Sequence, residues 1–269
     1  MSVAGNSNFA WEPFTPRGVA AFAHARPGRL LLVQFFVALL AAASAAWFLQ
    51  DSVFPVIRTA IQNLPATGEI RSAKLHWRGD SPMLLAAGRF LALDVDLDHS
   101  GKINSTADVQ IEFGRETVWS SALLGYTEIP YPSGAIVPFN RTELEPRWGA
   151  WRAEILFLAA AATVIGLLAS WWLLATVYFL PVWTLGFFVN RDLNFRRSWK
   201  LSGAALLPGA LLLAAGILLY DFGAVNLVQL GFIFGAHFIL GWIYLFVSLL
   251  FVPGISAAVS GTNPFAWKK

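Results

Sequence analysis

Long uncharged stretches constrain what this chain can fold into. Leu30–Leu49 and Ile155–Asn190 contain no charged residue, and Leu201–Trp267 is interrupted only by Asp221. A helix needs about 20 apolar residues to cross the hydrocarbon core of a bilayer. Because lipid offers the backbone no hydrogen-bonding partner, a segment that crosses it must be a helix or part of a closed barrel. Uncharged stretches of this length predict a multi-pass bundle of transmembrane helices.

The composition agrees with a membrane environment. The 269 residues are 57% hydrophobic and 13% charged, whereas soluble domains average about 25% charged residues. The formal net charge is only +3, and the basic residues lie beside the uncharged stretches. Nucleic-acid binding is not expected, since it requires a clustered basic surface. The chain has no cysteine, which excludes disulfides and favours a bacterial inner membrane over a eukaryotic secreted domain.

The charged residues predict how the stretches are oriented. Arg17, Arg26 and Arg29 precede the first stretch, and residues 190–202 hold four basic side chains and one acid. Basic flanks remain in the cytoplasm, so both segments are predicted to be cytoplasmic. Four crossings then place both termini in the cytoplasm and residues 50–151 outside the membrane.

The predicted organisation has five segments. They are cytoplasmic residues 1–29, a first span at 30–49, an extracytoplasmic domain at 50–151, three further spans within 152–253 that enclose the cytoplasmic segment 190–202, and a cytoplasmic tail at 254–269. Two alternatives remain open. Ala43-Ser44-Ala45 resembles a signal-peptide cleavage site. Ile155–Asn190 is long enough to cross more than once, although a single crossing that Pro181 breaks or bends fits the charges best.

The polar segment 50–151 predicts a small β-rich α+β domain between the first two transmembrane helices. Val53–Leu64 has apolar residues at helical spacing and is followed by Pro65. Leu91–Asp98 and Val109–Phe113 alternate apolar with polar residues, which is typical of half-buried strands. His99–Lys102 between them predicts a turn. Shorter strands are predicted within Glu69–Trp77 and Tyr126–Tyr131.

Asp94, Asp96 and Asp98 form the one metal-like pattern of the sequence. A calcium loop of this type needs Gly at its sixth position and Glu at its twelfth, where this chain has His99 and Ser105. In a strand the three carboxylates would share one face at intervals of about 6.8 Å. An exposed strand face is the expected interpretation, and weak calcium binding is the alternative.

Polar groups within the predicted spans are scarce, which disfavours ion-coupled transport. His237 lies alone in the fourth span, where a polar packing contact is expected and a proton relay is the alternative. Gly231 and Gly235 form a GxxxG pattern that allows close helix approach. Packing within the chain is expected for these glycines, and a homodimer interface is the alternative.

The sequence carries no P-loop, HExxH motif, GxSxG motif or pair of catalytic carboxylates, so neither enzymatic activity nor a cofactor is expected. It predicts an inner-membrane accessory, sensing or scaffolding protein whose outer domain contacts a ligand or an envelope partner. The alternative is a small carrier or flippase for a neutral or lipidic solute, with Trp171, Trp172 and Trp242 as a ligand cage. A membrane enzyme built around Asp221 is a third hypothesis.

Several short motifs resemble those of a known family. Phe14–Phe22 matches an aromatic-x-Pro-Lys/Arg opening before the first span, and Leu64–Ile70 matches a Leu-Pro turn followed by a short strand. Phe195–Ser202 and Leu206–Pro208 match a basic aromatic helix that leads into a Leu-Pro-containing span. In this order they resemble bacterial multi-span membrane proteins of unknown function, some of them MalA-like from maltodextrin-utilisation operons. The resemblance implies an extracytoplasmic insert and a Yip-type general plan, without catalytic residues.

The topology predicts the outcome of reporter fusions. A fusion after Gly101 is expected to be active only with a reporter that works outside the cytoplasm, since residues 50–151 are assigned there. Fusions after Arg197 and Lys269 are expected to be active only with a cytoplasmic reporter. Paired alkaline phosphatase and fluorescent-protein fusions measure both cases, and a cytoplasmic Gly101 would overturn the topology.

Overall fold

A computed structural model of the chain describes residues 12–255, and long helices dominate it. The helices are α1 (Pro16–Phe22), α2 (Pro27–Phe48), α3 (Phe54–Asn63), α4 (Arg141–Phe188), α5 (Phe195–Ala205), α6 (Leu207–Asp221) and α7 (Leu227–Phe251). Within the described residues, four helical stretches are long and apolar enough to span a membrane: Pro27–Asn63, Arg141–Phe188, Phe195–Asp221 and Leu227–Phe251. The expected set of four long apolar helices is thereby confirmed. Most of the predicted cytoplasmic tail, with Trp267 and Lys269, lies outside the described residues.

The first long helix continues past the predicted span. A π-helical turn at Leu49–Val53 joins α2 to α3, and the N–H of Phe54 bonds to the carbonyl of Leu49. Pro55 follows directly and has no N–H to donate to the backbone carbonyl one turn earlier. This accounts for the local change from α-helical to π-helical hydrogen bonding. The predicted helix over Val53–Leu64 is confirmed, since α3 ends at Asn63 before Leu64 and Pro65.

The helix α4 is longer than expected and is uninterrupted over 48 residues, about 72 Å at 1.5 Å per residue. Asn140 caps its start, because its side-chain oxygen accepts the N–H of Glu143 at 3.0 Å. The chain does not reverse direction between residues 155 and 188. The expected break at Pro181 is absent: the helix continues through this residue to Phe188.

A break does occur between α5 and α6, at Leu206. Pro208, two residues later, has no N–H to donate to the carbonyl of Ala204, so one helical hydrogen bond is missing at this break. The chain divides into two compact units, and each is described by itself.

The first unit contains the described residues up to Ala42, together with 162–216 and the residues from 232 onward. Its core is apolar and includes the fully buried side chains Phe22, Leu30 and Leu201. Small residues let its helices approach closely. A Cβ added at Gly209 would collide with the backbone carbonyl of His237.

The second unit contains residues 43–161 and 217–231. Its strands are β1 (Glu69–Arg71), β2 (Lys74–His76), β3 (Met83–Ala87), β4 (Leu91–Val95), β5 (Val109–Phe113), β6 (Thr117–Ala122), β7 (Gly125–Pro130) and β8 (Val137–Pro138). They form a three-stranded sheet in the order β2-β1-β8 and a five-stranded sheet in the order β3-β4-β5-β6-β7. The expected small β-rich segment is present, and β3, β6 and β8 are additions that the sequence did not predict.

The pairing of β4 with β5 is parallel, whereas the other pairs of the five-stranded sheet are antiparallel. A parallel pair cannot be joined by a tight hairpin. Residues 96–108 therefore form a crossover connection, within which the predicted turn lies at His99 and Gly101, both with positive φ.

One face of the five-stranded sheet is apolar and packs against α3. Leu91, Leu93 and Val95 of β4 belong to the same buried cluster as Val56 and Ala60 of α3. The other face carries Asp94, Glu112 and Trp119, which are register neighbours on β4, β5 and β6. We call it the polar face of the sheet.

The close helix approach at Gly209 generates a prediction with a matched control. Gly209→Ala is expected to destabilise the protein by about 1–3 kcal/mol, the typical cost of overpacking a tight contact, because the new methyl group meets the backbone of His237. Gly235→Ala is the control, since a Cβ there meets nothing within 4 Å. Thermal unfolding of both variants in detergent measures the difference. Equal stability would contradict the packing.

Candidate functional site

One end of the five-stranded sheet is fastened to the turn between α6 and α7. The hydroxyl of Tyr220 donates a hydrogen bond to Asp108 Oδ2 at 2.6 Å, and Arg89 donates one to the carbonyl oxygen of Val225 at 2.9 Å. The rings of Phe90 and Tyr220 lie 4.5 Å apart. We call this the turn end of the sheet. At the opposite end lie Gly114 and Arg115, between β5 and β6.

A cleft of about 360 Å³ opens at the turn end. Its lining comes from the crossover connection, the sheet and the first turn of α7: Ser105, Ala107, Asp108, Gln110, Ser121, Ala122, Leu123, Asn226, Leu227 and Val228. We call it the turn cleft. One wall is polar, with a carboxylate, two amides and two hydroxyls, and the other is apolar. Such a site suits a small ligand, or part of a partner, that offers hydrogen-bond donors on one side and apolar groups on the other.

The polar wall combines side chains that are far apart in the sequence. Gln110 and Ser121 are register partners on β5 and β6, whereas Asn226 caps α7 by accepting the N–H of Gln229 at 2.9 Å. Asp108 precedes β5 and keeps its position through Tyr220. Sequence reasoning missed this site, because the residues become neighbours only through strand pairing.

The turn cleft does not include Asp221. This carboxylate accepts a hydrogen bond from the hydroxyl of Ser52, which links the end of α6 to the π-helical turn after α2. The polar residues of the turn cleft therefore do not support the hypothesis of a membrane enzyme built around Asp221.

Asp94 corrects the expectation of an exposed aspartate face. Its side chain is 0% exposed and accepts a hydrogen bond from Gln110 Nε2 at 2.9 Å, while its second oxygen is buried without a hydrogen-bond partner among the described residues. Gln110 also contacts the carbonyl oxygen of Ile103, so the crossover connection covers this part of the polar face. Burial raises the pKa of Asp94 to about 6.

Asp96 and Asp98 have separate structural roles. Asp96 is 1% exposed and stabilises the turn, since Ser100 Oγ and the N–H of Gly101 donate to its Oδ2 at 2.7 and 3.2 Å. Burial alone would raise the pKa of Asp96, but these hydrogen bonds bring it below its usual value. Asp98 is exposed and pairs with Arg115 at 3.1 Å. The three carboxylates do not converge, and the part of the chain that the structure describes has no cluster of metal-ligating side chains.

An aromatic stack covers another part of the polar face. The rings of His99 and Trp119 lie parallel at 4.3 Å, and Trp119 stacks on Tyr126 at 5.4 Å. His99 Nδ1 is hydrogen-bonded to Glu112. The stack ties the crossover connection to β5, β6 and β7. The connection and the sheet residues of the turn cleft, Gln110 and Ser121, are therefore parts of one packed structure.

The intramembrane candidates from the sequence lie apart from the turn cleft. His237 is hydrogen-bonded through Nδ1 to the carbonyl of Phe234 in its own helix, and both the polar packing contact and the proton relay stay predictions. A Cβ added at Gly231 or Gly235 would meet no described residue within 4 Å. The close approach of α6 and α7 uses Gly209 and Gly216, so the packing expected for the GxxxG pattern is not found within residues 12–255. The homodimer interface stays a prediction.

Two of the three tryptophans of the alternative ligand cage, Trp171 and Trp242, belong to the hydrophobic core of the first unit, and Trp172 is exposed. Trp242 packs on Tyr178 at 4.6 Å. The ligand cage stays a prediction. A separate apolar groove of about 530 Å³ lies in the first unit, and its lining is Pro27, Phe179, Phe195, Arg196, Trp199 and Lys200.

No protein-family model, curated protein or solved structure matches this chain. The resemblance to the MalA-like family therefore stays a prediction.

The buried Asp94 carboxyl generates a pH-dependent prediction. A carboxyl whose pKa is raised in the folded state loses stability as it ionises, so the protein is expected to become less stable as the pH rises from about 4 to about 6. Asp94→Asn is expected to remove this loss and to stabilise the protein at pH 7 by up to about 3 kcal/mol. The mutant amide still offers an oxygen to Gln110.

Thermal unfolding of the full chain in detergent across this pH range measures the effect. Asp98→Asn is the matched control, because Asp98 lies on the surface and pairs with an exposed arginine. An Asp94→Asn variant with the same pH profile as the wild type would show that Asp94 does not titrate as described.

Proposed function

We propose that this protein is a non-enzymatic accessory protein of the bacterial inner membrane, which senses a ligand or scaffolds an envelope partner through an extracytoplasmic domain at residues 50–151. The observation that carries the proposal is the composition of the turn cleft. Asp108 comes from the crossover connection and Gln110 and Ser121 from the sheet. Asn226 and Leu227 come from the start of α7, after the turn between two long apolar helices. An occupant of the cleft would touch the domain and the helix ends together.

The hydrogen bonds around the turn cleft support a coupling role. Tyr220 donates to Asp108, and Arg89 donates to Val225, so a shift of the crossover connection or of Arg89 alters a contact with the helix turn. A ligand changes a conformational equilibrium only by its difference in affinity for the two states. Coupling free energies between sites are typically about 1–3 kcal/mol, within the range of the few hydrogen bonds involved.

The chemistry of the turn cleft limits what it binds. Asp108 provides a negative charge and Gln110, Ser105 and Ser121 provide uncharged polar groups, so the cleft favours an occupant rich in hydrogen-bond donors. The apolar wall with Leu227 and Val228 favours an occupant with an apolar part. A cationic or hydroxyl-rich amphiphile and an exposed partner side chain both meet this description.

A carrier for a lipidic solute is the second candidate, and the apolar groove in the first unit favours it. Phe179, Phe195 and Trp199 line the groove, with Arg196 and Lys200 beside them. These basic groups would suit the anionic head of a lipid whose chain occupies the groove. Solute flux in proteoliposomes separates this function from an accessory one.

Site-specific photo-crosslinking tests the accessory function. A photoreactive residue at Ser121, in the turn cleft, is expected to form one discrete product in cells, whereas the same residue at Ser133, on the exposed loop after β7, is expected to form none. Mass spectrometry of the modified peptide shows whether a protein or a small molecule was captured.

Asp108→Asn provides the chemical control for this experiment. The amide oxygen can still accept the hydrogen bond from Tyr220, but the negative charge is removed. If the occupant is cationic, the product at Ser121 is expected to decrease about tenfold. This corresponds to a loss of about 1.4 kcal/mol of binding free energy. Equal products at Ser121 and Ser133, or no product at either, would contradict the proposal.

A further inference from the structure

We propose that the tip of the β6–β7 hairpin, Leu123 and Leu124, inserts into the bilayer and anchors the domain to the lipid surface. Ala122 and Gly125 are the last register pair of this hairpin, so the two leucines form a two-residue loop. Leu124 is 100% exposed and Leu123 is 58% exposed. The inference concerns a different surface from the turn cleft and does not depend on the accessory function.

The residue types at the tip do not follow from turn geometry. The positive φ of this turn falls on Gly125 (φ 117°), and neither leucine has a positive φ, so the backbone tolerates leucine at both positions without requiring it. Bulky apolar residues offer no advantage there and are costly in water. Two adjacent leucines at this position are therefore explained better by an apolar environment around the tip.

Strand register brings the tip to the turn end of the sheet. Val109 pairs with Ala122 and donates its N–H to the carbonyl of Phe90 at 2.9 Å, and Phe90 packs on Tyr220 of α6. Leu123 lines the turn cleft together with Leu227 and Val228. The leucine tip thus lies beside the first turn of a 25-residue helix that is apolar enough to span a membrane.

The surface of α7 continues the apolar character of the tip. Val228 and Phe232 are 48% and 74% exposed, as expected for residues that face lipid. Tyr126 follows the tip on β7 and is also exposed, and tyrosines are enriched where a protein crosses the membrane–water interface. The leucine tip, Tyr126 and Val228 are all exposed, and together they form the proposed lipid-facing region of the second unit.

Lipid is a better occupant for the tip than a protein. A stable protein interface buries at least about 1,000 Å² with complementary shape, and a two-residue loop offers far less. A bilayer needs no complementary shape, since its hydrocarbon accepts any apolar side chain that reaches it. The rest of β7 is also exposed, but Thr127 and Glu128 separate Ile129 from the tip, so the proposed lipid contact is confined to the end nearest the helix turn.

The absence of cysteine from the chain allows a direct test. Single cysteines are introduced as Leu124→Cys, Thr127→Cys and Ser133→Cys and labelled with an environment-sensitive fluorophore. All three positions are exposed, so the substitutions leave the buried core unchanged. Ser133 is at the far end of the sheet, because neighbouring Tyr131 bonds to Gly114 and Glu116.

Quenching by nitroxide-labelled lipids in proteoliposomes measures the depth of each label. It is expected to be several-fold stronger at position 124 than at 133, with 127 intermediate, since a strand rises about 3.3 Å per residue. Quenching by aqueous iodide should follow the opposite order. Equal lipid quenching at 124 and 133 would overturn the proposal.

A label at 124 that neither lipid nor iodide quenches would also overturn the proposal, because the tip would then be covered by protein. Dilution of the protein in excess lipid identifies a second copy of this chain as that cover, since contact between copies is lost on dilution. Leu124→Asp provides a measurement without a label. This substitution is expected to make the hairpin more accessible to protease in proteoliposomes.

Discussion

Inside a bilayer, a backbone N–H or C=O group without a partner costs several kcal/mol, because lipid cannot replace the lost hydrogen bond to water. The other features of this protein follow from that constraint. Within residues 12–255 the long apolar stretches are helical, and the strands all lie in the polar segment. Helix association has little hydrophobic driving force in lipid, and the closest approach occurs where Gly209 lets α6 lie directly on the backbone of α7.

The parallel pairing of β4 and β5 has a comparable influence on the polar segment. It requires a crossover connection, and that connection lies over the sheet face where aspartates alternate with apolar residues. Asp94 is buried beneath it, Asp96 organises its turn, and His99 packs on Trp119. A pattern typical of a solvent-facing strand thereby becomes part of the interior, at the cost of a carboxyl group whose pKa is raised by burial.

The turn between α6 and α7 connects these two kinds of structure. It supplies Asn226 and Leu227 to a cleft whose other wall is the sheet, and Tyr220 and Val225 fasten the sheet to it. The leucine tip of the β6–β7 hairpin lies at the same end. Ligand recognition, attachment to the helix turn and contact with lipid would thus all take place at the turn end of the five-stranded sheet.

The sequence by itself determined the long apolar helices, the helix after the first span and the alternating strands, since these depend on local composition and period. Only the tertiary structure decided which way β5 runs beside β4, and with it the burial of Asp94 and the site around Asp108. Period-two alternation shows that a strand has two different faces, but it does not show what covers each face. The approach of Ser121 to Asn226 depends on pairing between distant segments, and no local pattern encodes such a pairing in a single sequence.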